Sequence, residues 1–253
     1  MRVVWEGMRR LDLHRGNVYL FGARFPAAVI AIFVVTLLLT LIGVAGLRNG
    51  VPLLAYVALT PAAVWHGGLW RLVTWVFFDP GLSPLSLLFW AMMLLLFGRD
   101  LCDAWGWRRF LGVYLGTAVA SGLVTCLLAL AWGALMGVNY LDSWPVVNAL
   151  VVAWAMTFPT RQILFNFLIP VSGKALVWIT IGLTVFFALL SGLAAFVPHL
   201  AALGVIFVYM RGAPLLRRRW LQMRLRALQG SPRRRPAHIR PVDEPDEKPR
   251  WYH

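Results

Sequence analysis

Apolar residues in this chain fall neither at every second position nor on one helical face opposite a polar one. They come in long runs. Pro26–Leu47 holds 22 residues without a charge, enough at about 1.5 Å per residue to cross a hydrocarbon core about 30 Å thick. Further runs fall at Gly81–Gly98, Phe110–Trp132, Trp144–Phe158, Ala175–Leu193 and Pro198–Met210. Segments that are apolar on every face predict helices surrounded by lipid, six in all. The second, fourth and sixth runs are short, so their assignment leans on charge. The first run is too long and too far from Met1 for a cleaved leader, although Val44-Ala45-Gly46 resembles a cleavage site.

Charge gives the runs a direction. The 253 residues are 60% hydrophobic with a mean hydropathy of +0.72, yet the net charge is +14 and the isoelectric point near 11.3. Such a balance points to nucleic acid only if the cations cluster on a folded surface. Here Arg2, Arg9, Arg10, Arg15 and Arg24 precede the first run, and twelve of the 24 basic residues follow Met210. With both termini cytosolic, 22 basic residues face inward and only Arg48 and Arg71 face outward. Five or seven spans would put the arginine-rich end outside. The arrangement expected is a basic cytosolic N-terminus (1–25), a six-span membrane domain (26–211), a basic amphipathic helix (212–229) and a disordered cytosolic tail (230–253). Arginine outnumbers lysine 22 to 2, which points to a GC-rich bacterial genome and so to a bacterial inner (plasma) membrane.

Between the spans, Val51–Asp79 stays apolar but is broken by Pro52, Pro61, Gly67 and Gly68. It reads as an outer loop embedded in the membrane interface, with Trp65, Trp70 and Trp75 at headgroup depth. Gly112, Gly116 and Ala120 form a small-residue seam for helix packing. Ile163–Val171 reads as a cytosolic hairpin under the bundle. Leu215–Leu228 alternates leucine with arginine and is expected to lie on anionic lipid rather than bind nucleic acid. Cys102 and Cys126 are about 36 Å apart if the stretch between them is helical, beyond disulfide reach. Neither clusters with other ligands, so no metal or cofactor is expected. A transporter is disfavoured because the predicted spans hold no carboxylate, lysine or arginine.

Four ordered motifs carry a family resemblance, over roughly Trp65 to Tyr209. Trp70-Arg71 lies in the outer loop. Gly98, Leu101, Trp105-Gly106 and Arg109-Phe110 cross from the second span to the third. Thr157-Phe158-Pro159-Thr160-Arg161 and then Leu168-Ile169-Pro170-Val171 link the fourth span to the fifth. This set resembles the rhomboid family of intramembrane serine proteases, which implies an all-α, six-transmembrane-helix bundle with a membrane-embedded first outer loop.

The family's chemistry needs a serine in Gly-x-Ser-Gly on the fourth span and a histidine on the sixth, the imidazole taking the hydroxyl proton. In the matching register Asn148, Leu150 and Val151 stand at the glycine, serine and second glycine. Ala202 stands at the histidine, Gly204 is kept and Val208 replaces the last glycine. The oxyanion places on the second span fall on Ser86 and Trp90. The resemblance therefore implies the fold with no catalytic residue: a pseudoprotease that binds transmembrane segments of client proteins or stabilises a membrane complex. The alternative is a serine endopeptidase with an unfamiliar dyad, such as Ser191 with His66 or His199. Ser121-Gly122 reads as helix packing.

The charge split fixes a topology that can be tested directly. Cysteine introduced at Asn139 should react with an impermeant maleimide in intact cells, whereas cysteine at Arg108 should react only after permeabilisation. Labelling at position 108 alone would reverse the orientation.

Overall fold

Along the first long helix many large apolar side chains point outward, and small or hydroxylated ones are prominent on the packed face. The computed structural model describes residues 17–20, 23–79, 84–165 and 169–229. Helix α1 (Ala27–Arg48) buries Ala28, Val29, Ile32, Thr36, Thr40, Gly43 and Gly46, while Leu38, Leu41 and Ile42 are more than half exposed. That polarity suits helices whose outer faces meet lipid and whose inner faces approach closely through small residues. After α1 come three short helices, α2 (Leu53–Val57), α3 (Pro61–Trp65) and α4 (Arg71–Thr74), then α5 (Pro84–Trp105), α6 (Trp107–Ala131), α7 (Trp144–Thr157), α8 (Gly173–Ser191) and α9 (Leu193–Gln229). The chain divides into two compact units, Met1–Arg211 and Gly212–His253.

Among the described residues, five helices are long and apolar enough to cross a membrane: α1, Leu85–Trp105 of α5, α6, α8 and Leu193–Gly212 of α9. Helix α7 has 14 residues, about 21 Å of rise. Ten of them are buried, from Pro145 to Ala155, and α7 packs against α5, α6 and α8. A helix apolar all round takes the centre because every face finds an apolar neighbour.

Helix ends differ from the sequence reading where a presumed breaker sits inside a helix. The second span runs past Gly98 to Trp105, because Gly98 without a side chain admits Val29 and Phe110, each within 3.3 Å of where a Cβ would stand. The last helix starts at Leu193 and not at Pro198. Neither the second nor the sixth segment is short. The carboxylate expectation also fails, since Asp100 lies within α5 and Asp79, just before it, is 1% exposed. Between α5 and α6, Gly106 takes φ 83°, a left-handed turn open to glycine at little cost. Leu101 and Phe110 are fully buried there, and Arg109 lies 5.1 Å over the Trp105 ring.

The structure is not wholly helical. Strands β1 (Asn17–Leu20) and β2 (Ala23–Pro26) pair antiparallel just before α1, in the segment expected to be only a basic terminus. Strands β3 (Gln162–Phe165) and β4 (Ile169–Ser172) pair as Gln162↔Ser172 through Phe165↔Ile169, which is the hairpin expected between α7 and α8. The Gly112–Gly116–Ala120 seam is corrected: both glycines are exposed, and a Cβ on either would have nothing within 4 Å. The packed face of α6 is Phe110, Val113, Tyr114, Thr117, Ala118, Ser121, Gly122 and Thr125. The stretch 212–229 is helical, within α9 (Leu193–Gln229), and Gly212 is where the second compact unit begins. The expected tail, 230–253, lies outside the described residues, as do residues 1–16.

Gly173, at the start of α8, shows how tightly that junction closes. A Cβ there would stand 2.5 Å from the Phe158 carbonyl oxygen and 3.0 Å from that of Ala155. Gly173→Ala should therefore destabilise the fold by about 1–3 kcal/mol, read as earlier thiol labelling of buried Cys102 and Cys126 on heating in detergent. Gly112→Ala should leave that transition unchanged.

Candidate functional site

The broken loop between α1 and α5 keeps its shape through side chains that satisfy its carbonyls. One Arg71 terminal nitrogen donates to Ala55 O at 2.7 Å and Ala58 O at 2.8 Å. Trp70 Nε1 donates to Tyr56 O at 3.1 Å and Thr74 Oγ1 to Val57 O at 2.8 Å. Leu59 and Tyr140 exchange both backbone hydrogen bonds, at 2.8 and 2.9 Å, which ties this loop to the segment before α7. Trp75, fully buried, accepts at its backbone oxygen from Asp142 N at 3.1 Å.

Asp142 is the hub of this end of the bundle. One carboxylate oxygen accepts from Trp144 N at 2.9 Å, at the start of α7, where a negative charge is favoured by the helix dipole. The other lies 3.2 Å from His199 Nε2 on α9. His199 is 9% exposed, and its ring stacks at 4.8 Å on Phe196. Its Nδ1 is buried without a partner among the described residues. His199 sits one and a half turns into α9, buried and paired. Between Trp75, Asn139, Asp142, Pro145, Pro198 and His199 lies a cavity of about 200 Å³.

Pro198 explains another contact of this cavity. It has no N–H to donate to the carbonyl four residues back, and that carbonyl, on Ala194, accepts instead from the Tyr140 hydroxyl at 2.8 Å. Burial, and then the nearby Cys126, push the Tyr140 hydroxyl up to about 12. It therefore stays a neutral donor over the physiological range. A proline that reads as a helix start is in fact the place where the helix takes its partner from a loop.

The positions matched to protease chemistry lie deeper. Leu150 is 1% and Ala202 0% exposed, and both belong to one continuous apolar core with Trp90, Leu94 and Ile206. Trp90 is fully buried and stacked at 6.4 Å on Phe33. Ser86 donates to Asp79 at 3.1 Å, and Thr40 Oγ1 accepts from Asp79 N at 3.2 Å. Val151 is buried and Asn148 half-buried, as their places beside the core require. Val208 is 70% exposed and Gly204 is exposed, so neither meets α7. Ala201, Gly204 and Val208 share one helical face. That face lines a groove of about 660 Å³ with Val124 and Leu128 of α6.

The alternative dyad partners are also placed. His66 is exposed, and its Nδ1 meets Ala62 O at 2.7 Å. Ser191 is exposed at the end of α8. Among the described residues it is hydrogen-bonded to neither histidine. Ser121 is buried, its Oγ donating to Ala118 O at 3.1 Å. No group of three or more His, Cys, Asp or Glu side chains converges as a metal site among the described residues. The Asp142–His199 pair escapes a reading of the sequence because the two residues come from different elements and share no motif.

Lipid-facing apolar helices around a buried central helix, with an outer loop whose carbonyls are met from within, define an integral membrane protein of the helical class. The family model described as eukaryotic integral membrane protein (DUF1751) matches residues 27–211, and the chain belongs to that family. The family lies in the rhomboid-like superfamily. Its description names eukaryotes and so gives no support to the bacterial membrane inferred from arginine usage. No curated protein matches the chain.

Breaking the hub should cost stability in a coupled way. Asp142→Asn and His199→Ala should each lower the unfolding midpoint, and together they should cost less than their sum, with a coupling of about 0.5–2 kcal/mol. Strict additivity would mean that the 3.2 Å pair contributes nothing.

Proposed function

We propose that this chain is a rhomboid-like pseudoprotease with six membrane passes and both termini cytosolic, which binds transmembrane segments of client proteins or holds a membrane complex together. The observation that carries this reading is the sealing of the catalytic region: Leu150 and Ala202 are inside the apolar core, where the family's chemistry would need a hydroxyl and an imidazole facing a wet cavity. The parts of the motif set that shape the scaffold remain and are structurally engaged, including Arg71 on the loop carbonyls and Gly98 against α1. Helix α7 counts as the fourth pass in this reading, its 14 residues suited to a locally thinned bilayer. Helix α8 buries only Gly173, Leu176, Thr184 and Ala188, so most of its surface is open to a laterally arriving helix.

A second reading, a serine endopeptidase with an unfamiliar dyad, is favoured by one observation. Asp142 and His199 form a carboxylate–imidazole pair beside a cavity, an arrangement that orients a general base in hydrolases. Purified protein treated with a fluorophosphonate separates the two readings. The pseudoprotease stays unlabelled while affinity purification in mild detergent recovers membrane-protein clients; stoichiometric serine labelling would establish the endopeptidase.

Rebuilding the dyad should fail. Leu150→Ser with Ala202→His puts a polar pair into a dry core and an imidazole where an alanine is fully buried. Ser86 already donates to Asp79 and an indole stands at the other oxyanion place, where loss of one donor costs about 3–4 kcal/mol. The double variant should show no cleavage of a generic transmembrane substrate; clear cleavage would mean that the site is still intact.

A further inference from the structure

We infer that the groove between α6 and α9 holds an acyl chain of an anionic phospholipid whose phosphate is bound by Arg109. The groove is apolar along Val124 and Leu128 of α6 and Val197, Gly204 and Val208 of α9, and it ends at Tyr209. From Val197 to Tyr209 the helix rises about 18 Å. One leaflet of the hydrocarbon core is about 15 Å deep and a full crossing about 30 Å, so the groove has the length of a lipid tail and is too short for a spanning helix.

Charge at the Tyr209 end selects the headgroup. Arg109 Nε donates to the Tyr209 hydroxyl at 3.2 Å, and its guanidinium lies 5.1 Å over the Trp105 ring and 6.0 Å from the Tyr209 ring centre. These contacts fix the fork in place. Its two terminal nitrogens have no hydrogen-bond partner among the described residues, so they are free to bind two phosphate oxygens, the geometry at which arginine excels. Arg108 is the next residue, and both lie in the first turn of α6, where unpaired backbone N–H groups add to the attraction for an anion. Among the described residues, the carboxylates at the α5–α6 junction are Asp100 and Asp103, both on α5, and Asp100 is engaged by Arg161 at 2.8 Å. An aliphatic groove ending in a braced guanidinium matches a molecule that is a chain at one end and a phosphate at the other. Arg109 thus has a role independent of the basic stretch beyond Arg211.

Native mass spectrometry of the full chain in detergent, with palmitoyl-oleoyl phosphatidylglycerol or phosphatidylcholine added, tests the assignment. One phosphatidylglycerol should survive delipidation with about tenfold preference over phosphatidylcholine, the ratio expected of one charge-assisted contact. Arg109→Ala should abolish the preference. Gly204→Phe fills the groove where nothing lies within 4 Å of the added Cβ, and should lower retention of both lipids without changing elution or far-ultraviolet circular dichroism. Glycerol phosphate, which has the charge and no chains, should not displace the lipid. Equal retention of the two lipids by the wild type, retention unaffected by either variant, or displacement by glycerol phosphate would each overturn the inference. So would efficient cross-linking of Gly204→Cys to a second copy or another protein in the native membrane, since the groove would then be occupied by a helix.

Discussion

Every backbone polar group placed in an apolar medium must find its partner within the protein, and the outer loop between α1 and α5 is where that demand is hardest to meet. A spanning helix satisfies it automatically. Val51–Asp79 breaks at Pro52, Pro61 and the Gly67–Gly68 pair, so its carbonyls turn to side chains. Arg71 takes two of them with one nitrogen, Trp70 and Thr74 take one each, and Leu59 trades hydrogen bonds with Tyr140. The Trp-Arg motif is then a device for folding a loop where water is scarce. Its charge is tolerated because it is consumed on carbonyl dipoles.

How much of this was legible in sequence follows from how local each signal is. The charge-free runs gave away the helices because a lipid environment imposes a composition on every face. The helices differ from the runs at Gly98 and Pro198, where one charge-free run stops and another begins but the helices continue to either side. Gly98 stays helical because Val29 and Phe110 fill the space beside it, and Pro198 because Tyr140 takes up the carbonyl that it leaves unpaired. The small-residue seam on α6 was legible as spacing but not as direction, and packing turned Gly122 rather than Gly112 and Gly116 toward the core.

The departure of Leu150 and Ala202 from the protease motif is legible in the sequence, because that motif fixes residue types at set positions. Their burial among Trp90 and Ile206 adds that apolar side chains fill this region and leave no cleft at those two residues. The Asp142–His199 hub could not be read in that way. It depends on a loop and a helix that meet only after the chain has folded, and a single aspartate and a single histidine carry no spacing to betray them.

The contacts of Ala194 and His199 give α9 a role in the timing of assembly. Both lie on α9, while their partners Tyr140 and Asp142 are synthesised well before it. Until α9 is inserted, the hydroxyl and carboxylate stand beside α7 with those bonds unmade, so a chain interrupted before α9 would display polar groups that the folded one conceals.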